Sequence, residues 1–328
     1  MAFRLKLVPD VTRYDFFRWQ WLTVGASALA VVVSILATIF MGLNYGIDFR
    51  GGTTIRTEST TAFDIGEYRQ ALDGMGFSDV SITEVFDPSF GAERHVAMVR
   101  IGTTDETGSV SPEQLAEVQT ALQQVDPQVT FASVESVGPK VSAELIRTAI
   151  MAVAAATLGI LLYIWLRFEW QFAIGAVVSL LHDIILTVGI FAVFQLKFDL
   201  TTIAALLTTL GFSVNDTVVV FDRLRENLIK FKSMKLIDVM NLTVNETLSR
   251  TVMTAVTTGI ALTAMLVLGG DVVRGFVFAM LWGVFVGTYS TVYVAKSVVL
   301  WLGVKRDWSK NGDGPKKNVS PFEGAEEV

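Results

Sequence analysis

The chain has no cysteine and only two histidines among its 328 residues. The first absence excludes disulfides and thiol catalysis and removes the usual soft-metal ligands, without fixing the compartment. No phosphate-cradling G-x-x-x-x-G-K-[ST], no H-E-x-x-H metal motif and no G-x-S-x-G elbow occurs. ATP is therefore not the expected energy source, and no metal, cofactor or enzymatic activity is expected. A basic excess is also missing: 26 Lys and Arg face 32 Asp and Glu, a formal charge of −6, which argues against nucleic acid as a partner.

Apolar residues are what the chain has in quantity. They make up 52% of it, more than a soluble domain of this size can hide, so a polytopic membrane protein in a lipid bilayer is expected. Six segments are long enough to cross roughly 30 Å of hydrocarbon. They are Trp21–Met41, Ala143–Leu166, Phe172–Phe194, Leu200–Phe221, Thr251–Leu268 and Gly275–Leu302. The first is longer than a signal-peptide core and no A-x-A site follows it, so it is expected to stay attached. Basic residues flank alternate loops: Arg4 to Arg18, Arg167, Arg223 to Arg250, and Lys305 to Lys317. The other side holds only Lys197 and Arg274 in its short loops. This asymmetry predicts cytoplasmic termini, with residues 1–20 and a disordered tail over 303–328 inside, and a cytoplasmic loop over 222–250.

Residues 46–142, between the first two spans, are mostly polar, with 15 Asp and Glu against 6 Lys and Arg. Alternation predicts strands at Thr53–Thr57, Val80–Phe86, His95–Ile101 and Val129–Val137. A helix is expected over Ile65–Met75, with Asp64 as N-cap, Glu67 completing a capping box and Phe63 stapled onto Tyr68. A second helix begins with Ser111 as cap, Pro112 at its first position and Gln114 reaching back. Strand–helix–strand–strand–helix–strand is the order of a ferredoxin-like split βαβ unit, placed outside the cytoplasm by the alternation of spans. His95, in a strand, is expected to be an ordinary histidine rather than a ligand.

Asp216 lies inside the fourth span, where a carboxylate costs about 3 kcal/mol on insertion scales. Arg250, at the mouth of the next span, is the expected partner. Thr201, Thr202, Thr208, Thr209 and Ser213 precede Asp216 along one broad face; Thr254, Thr257 and Thr258 follow Arg250 in the same way. A carboxylate that alternately meets and loses a guanidinium has two proton affinities, the requirement for coupling protonation to movement. The bland alternative is a static ion pair pinning two helices. His182 and Asp183, central in the third span, point about 100° apart and are candidates for a proton path or for a helix lock. Gly275, Ala279, Gly283, Gly287 and Thr291 form a small-residue ridge suited to close helix packing, against an internal helix or a second protein.

Five stretches together resemble the SecF family, which lies within the resistance–nodulation–division superfamily. They are LNYGIDFRGGT (Leu43–Thr53), LLHD (Leu180–Asp183), GFSVNDTVVVFDRLREN (Gly211–Asn227), LSRT (Leu248–Thr251) and GVFVGTYS (Gly283–Ser290). The resemblance implies a bacterial inner-membrane subunit that pairs with SecD and associates with the SecYEG channel, often with YajC and YidC. It implies use of the proton motive force to draw preprotein outward after the ATP-driven stage. It also implies that Asp216, between Asn215 and Thr217 in the family's NDT motif, and Arg250 of its SRT motif belong to the proton path. In the G-I-D-F-x-G-G pattern Arg50 takes the variable position, and Gly46, Asp48, Gly51 and Gly52 are expected to be structural. A non-conducting assembly factor and half of a small-molecule exporter remain as alternative readings.

Overall fold

The structure is a computed structural model, and it describes residues 9, 12–77, 79–85, 94–102 and 110–304. Residues 1–8, Phe86 at the end of the second expected strand and the tail beyond 304 lie outside the described residues. The order is α1 (Gln20–Phe40), β1 (Asn44–Tyr45), α2 (Ile47–Arg50), β2 (Gly52–Ser59), α3 (Ile65–Leu72), β3 (Asp79–Glu84), β4 (His95–Gly102), α4 (Pro112–Val125) and β5 (Thr130–Val137). Then follow α5 (Pro139–Arg167), α6 (Trp170–Val193), β6 (Lys197–Phe198), α7 (Leu200–Lys230), α8 (Leu236–Leu268) and α9 (Asp271–Ser290). A π-turn, Thr291–Ala295, carries α9 into α10 (Lys296–Leu302).

Among the described residues six helical stretches are long and apolar enough to cross a membrane. The expected loop over 222–250 needs correction, because α7 runs to Lys230 and α8 begins at Leu236. Hydropathy falls there, yet the helices continue as a charged hairpin. Arg223 bridges it, donating from Nε to Glu246 and from Nη1 to Glu226, both at 2.7 Å. Beneath these charges Leu224 and Leu228 of α7 pack with Val239 and Met240 of α8 and with Phe168, Phe172 and Phe221.

The polar segment folds into a four-stranded antiparallel sheet of order β3-β4-β2-β5, with α3 and α4 over it. Its core joins Ile55, Val99 and Ile101 from the strands to Tyr68, Leu72, Val118 and Leu122 from the helices. Ser111 and Gln114 complete the capping box of α4. At α3 the cap is simpler than expected: Asp64 accepts from Gly66 N, and Glu67 closes no box. Phe63 does stack on Tyr68, centroids 4.8 Å apart. Tyr68 donates to Asp126 Oδ2, and burial together with that charge pushes its phenol above the ordinary value. Burial alone would raise the Asp126 carboxyl; hydrogen bonds from Ser59, Thr61, the Gln128 amide and Tyr68 hold it below the usual range.

A compact joint connects this domain to the helices. β1 pairs in parallel with β6, and Gly46 N donates to Phe198 O at 2.8 Å. Asp48 Oδ2 accepts from Leu200 N, the first amide of α7, at 3.0 Å. Phe49 packs on Phe198, and both join Phe191 and Ala149. Gly51 and Gly52 both have positive φ (75° and 117°), and a Cβ at Gly52 would sit 2.7 Å from Ile101 O. Only glycine allows the chain to leave α2 and enter the sheet in so short a space.

At the opposite end of the bundle the segment before α1 is strapped to α8. Asn245 accepts from Tyr14 N and donates to Tyr14 O, both at 2.8 Å, and Asn241 accepts from Phe16 N at 3.0 Å. Lys296, only 2% exposed, lies under this strap with Nζ 4.2 Å from the Phe17 ring centre, 4.9 Å from Phe16 and 5.3 Å from Tyr293. Three ring faces supply the attraction that hydrogen bonds do not: Nζ has no hydrogen-bond partner among the described residues.

Candidate ion-coupling site within the membrane helices

Asp216 is buried on α7, and its Oδ1 accepts a hydrogen bond from Thr251 Oγ1 of α8 at 2.9 Å. Its Oδ2 has no hydrogen-bond partner among the described residues. Arg250, the expected partner, makes no direct pair with Asp216 in this structure: it is exposed, and no ion pair within 4.0 Å joins the two. One residue accounts for the difference: successive side chains on a helix diverge by about 100°, so turning Thr251 inward turns Arg250 away.

The next residue of α7 is held as well. Thr217 is buried, and its hydroxyl shares a hydrogen bond of 2.8 Å with Thr291, the first residue of the π-turn. Asn215, on the other side of Asp216, is exposed and faces out of the bundle.

Asp183 sits in a separate and fully occupied network. Its Oδ2 accepts from Ser213 Oγ of α7 at 2.7 Å and from Ser290 Oγ of α9 at 2.9 Å; its Oδ1 lies 3.0 Å from His182 Nδ1. Ser179 donates onward to Ser290. His182 turns the other way, stacking on Tyr289, whose hydroxyl donates to Thr23 O of α1 and meets Ser27 Oγ. Asp183 therefore ties α6 to α7 and α9, while His182 leads through Tyr289 to α1. His182 Nε2 has no hydrogen-bond partner among the described residues.

The threonine stripes divide in the same manner. Thr209 and Ser213 are buried against α9; Thr201 and Thr208 face outward. Thr254 and Thr257 bond the carbonyls of the preceding turn of α8, at Arg250 and Met253. The glycine ridge turns inward, toward α7. A Cβ on Gly283 would overlap Thr209, and one on Gly287 would lie 3.0 Å from Ser213 Cβ and 3.6 Å from Asp183 Oδ2. Sequence reasoning missed Thr251, Ser179, Ser290, Tyr289 and Lys296. Of these only Lys296 carried a signal, as a charge inside the last apolar run.

The fold and its sealed carboxylates define a multi-pass membrane protein with ionisable groups buried between helices. Two family descriptions match the sequence: "Protein export membrane protein SecD/SecF, C-terminal" over residues 117–305 and "SecD/SecF GG Motif" over residues 37–62. The protein translocase subunit SecF of Cereibacter sphaeroides is 64% identical over 97% of this chain and 96% of its own, and that of Rhodobacter capsulatus is 62% identical over 96% and 97%. The crystal structure of SecDF, a translocon-associated membrane protein from Thermus thermophilus, superposes with a TM-score of 0.79 at 33% identity. It covers 90% of this chain, which spans 39% of that longer one. The chain belongs to the SecF family.

Proposed function

We propose that this protein is the SecF subunit of a SecD-containing complex in the bacterial inner membrane. In this reading the complex uses the proton motive force to promote preprotein translocation through SecYEG after the ATP-driven stage, with YajC and YidC as further associates. The observation that carries it is Asp216: a sealed carboxylate with one oxygen bonded by a neighbouring helix and the other without a hydrogen-bond partner among the described residues. Such a group binds and releases a proton without dismantling a network, and the helix that supplies Thr251 also carries Arg250 one residue away. Protonation then changes what α7 offers to α8. Moving one charge through 100 mV supplies about 2.3 kcal/mol per ion, enough over repeated cycles to bias the movement of a bound polypeptide.

In this scheme Asp183 has the other role, that of a lock, because both its oxygens are occupied by groups from within the bundle. His182 belongs with it. Thr201, Thr208 and Asn215 recur every seven residues on the outward face of α7, and an outward polar stripe at membrane depth supports a partner helix there rather than lipid. SecD is the partner this reading assigns. Both termini are cytoplasmic, and residues 46–142 form a ferredoxin-like domain on the periplasmic side; the strand order β3-β4-β2-β5 supports the topology. The role is mechanical coupling, with no covalent catalysis.

The test is preprotein translocation into inverted membrane vesicles with and without a proton gradient, for wild type and Asp216→Asn, with co-purification of SecD as the assembly control. Loss of the gradient-dependent part with the complex intact is the expected result. Unchanged export makes Asp216 a structural charge and the subunit an assembly factor.

A further inference from the structure

A cavity of about 480 Å³ opens where α5 turns into α6, beside the cytoplasmic half of α7. Its floor is apolar and buried, made by Phe168, Phe172 and Leu228, and its mouth carries the exposed apolar side chains of Leu166 and Ile229. Among the described residues three charged ones line it: Arg167, Glu169 and Arg225. Trp165 and Trp170, 60% and 50% exposed, flank this turn in the sequence, as residues of a membrane–water interface do. An apolar floor, a lipid-facing mouth and charges at interfacial depth are the features of a headgroup site.

The charges say which headgroup. Arg167 is already met by Asp222 at 3.2 Å. Neither Arg225 nor Glu169 has a side-chain hydrogen bond or ion pair among the described residues, although both line the same cavity and stand too far apart to pair with each other. One unmet cation and one unmet anion sum to zero. An anionic headgroup would satisfy Arg225 and be repelled by Glu169. A choline headgroup would satisfy the charges, but its quaternary ammonium has no proton to donate to the carboxylate. A phosphate carrying a primary amine satisfies both, through charge-assisted hydrogen bonds at each end.

We propose that this cavity is a binding site for a zwitterionic aminophospholipid headgroup of the phosphoethanolamine type, its phosphate on Arg225 and its ammonium on Glu169. The volume falls within the range of roughly 300–1,000 Å³ found for small-ligand sites. The acyl chains leave past Leu166 and Ile229 into the bilayer. The proposal rests on the cytoplasmic assignment made above, and it is independent of any proton coupling at Asp216.

Native mass spectrometry of the full-length protein in detergent tests it, with phosphatidylethanolamine, phosphatidylglycerol and phosphatidylcholine of matched chains and inorganic phosphate as the free-anion control. Phosphatidylethanolamine is expected to be retained most strongly. Arg225→Gln is expected to lower its retention roughly tenfold, the scale of one lost charge-assisted hydrogen bond. Glu169→Gln is expected to reverse the order in favour of phosphatidylglycerol, a change that loss of fold does not produce. Lys230→Gln, at a cation outside the cavity lining, serves as the control and is expected to alter nothing. Preferential retention of phosphatidylglycerol by the wild type overturns the proposal, as does a phosphatidylethanolamine preference that survives both cavity substitutions. Displacement of the lipid by inorganic phosphate overturns it too, by making the site one for free anions. Export measurements on Asp216→Asn do not bear on these outcomes.

Discussion

Replacing Gly283 by alanine tests the contact that brings the two halves of the buried polar network together. The new methyl group would overlap Thr209 Cγ2 and sit 2.9 Å from both Thr209 Cβ and Oγ1. Ordinary carbon contacts begin near 3.4 Å, so the Thr209 side chain must turn to clear Cγ2, and α7 and α9 must separate by several tenths of an ångström to clear its Cβ. Overpacking of this kind costs about 1–3 kcal/mol, and backbone-close contacts on two long helices put the expected value near 2 kcal/mol. Gly287→Ala meets Ser213 at 3.0 Å and 3.2 Å, and its cost is expected to be about half as large. Truncating Thr209 to alanine removes the overlapping methyl and the hydroxyl, leaving one close carbon; in that background Gly283→Ala is expected to cost less than about 1 kcal/mol. The difference is a coupling energy of at least ~1 kcal/mol, well above what independent sites give. Unfolding of the full chain in mixed micelles by increasing SDS, followed by circular dichroism, measures all four members of the cycle. Additive costs for Gly283→Ala and Thr209→Ala, or a larger cost at Gly287 than at Gly283, would refute the packing of α9 on α7.

At the joint, Gly52→Ala is expected to destabilise the domain by about 2 kcal/mol or more, because the new Cβ meets a backbone oxygen at 2.7 Å in a left-handed conformation; hydrogen exchange of Gly52–Ser59 reports it. Asp126 has its folded-state value depressed by its hydrogen bonds, so its contribution to stability is complete above the ordinary carboxylate value near 3.9 and is lost as pH falls through the depressed one. Exchange protection of β2 and α4 at pH 2.5 is accordingly expected to fall more in wild type than in Asp126→Asn, relative to pH 7. Phe17→Ala removes the nearest ring from the Lys296 ammonium and is expected to cost about 3 kcal/mol, of which Lys296→Met recovers part because no charge is then left uncovered; thermal denaturation in detergent checks both.

Local chemistry is what the sequence displays most plainly. Ser111, Pro112 and Gln114 announce a helix start through contacts within four residues, and the apolar stripe of Leu115, Val118 and Leu122 fixes the face that α4 buries. The six membrane helices are legible for the same reason, since each is a property of one continuous stretch. Asp216 also stands out, because burial of a carboxylate is evident from its apolar neighbours. Its partner is not, since Arg250 and Thr251 are equally available until the rotation of α8 is known. The hydropathy minimum over 222–250 conceals helices that continue through it and are joined across the hairpin by the bridge from Arg223 to Glu246. The π-turn at Thr291–Ala295 has no glycine or proline to mark it; Thr291 at its start bonds Thr217, and Lys296 just past its end lies under the strap.

The hydrogen bond from Leu200 N to Asp48 has a mechanical consequence. Leu200 is the first residue of α7, and Asp216 lies sixteen residues farther along the same helix, about 24 Å at 1.5 Å per residue. A helix is stiff along its axis, so α7 links the buried carboxylate, midway along it, to the foot of the α+β domain at its first turn. In the proposed coupling, an axial shift or roll of α7 set by the state of Asp216 is carried along the helix to the hydrogen bond between Leu200 and Asp48. From there Phe49 and the paired glycines lead to β2, an inner strand of the sheet, so under that proposal a displacement of atomic size at Asp216 is read out as a movement of the α+β domain.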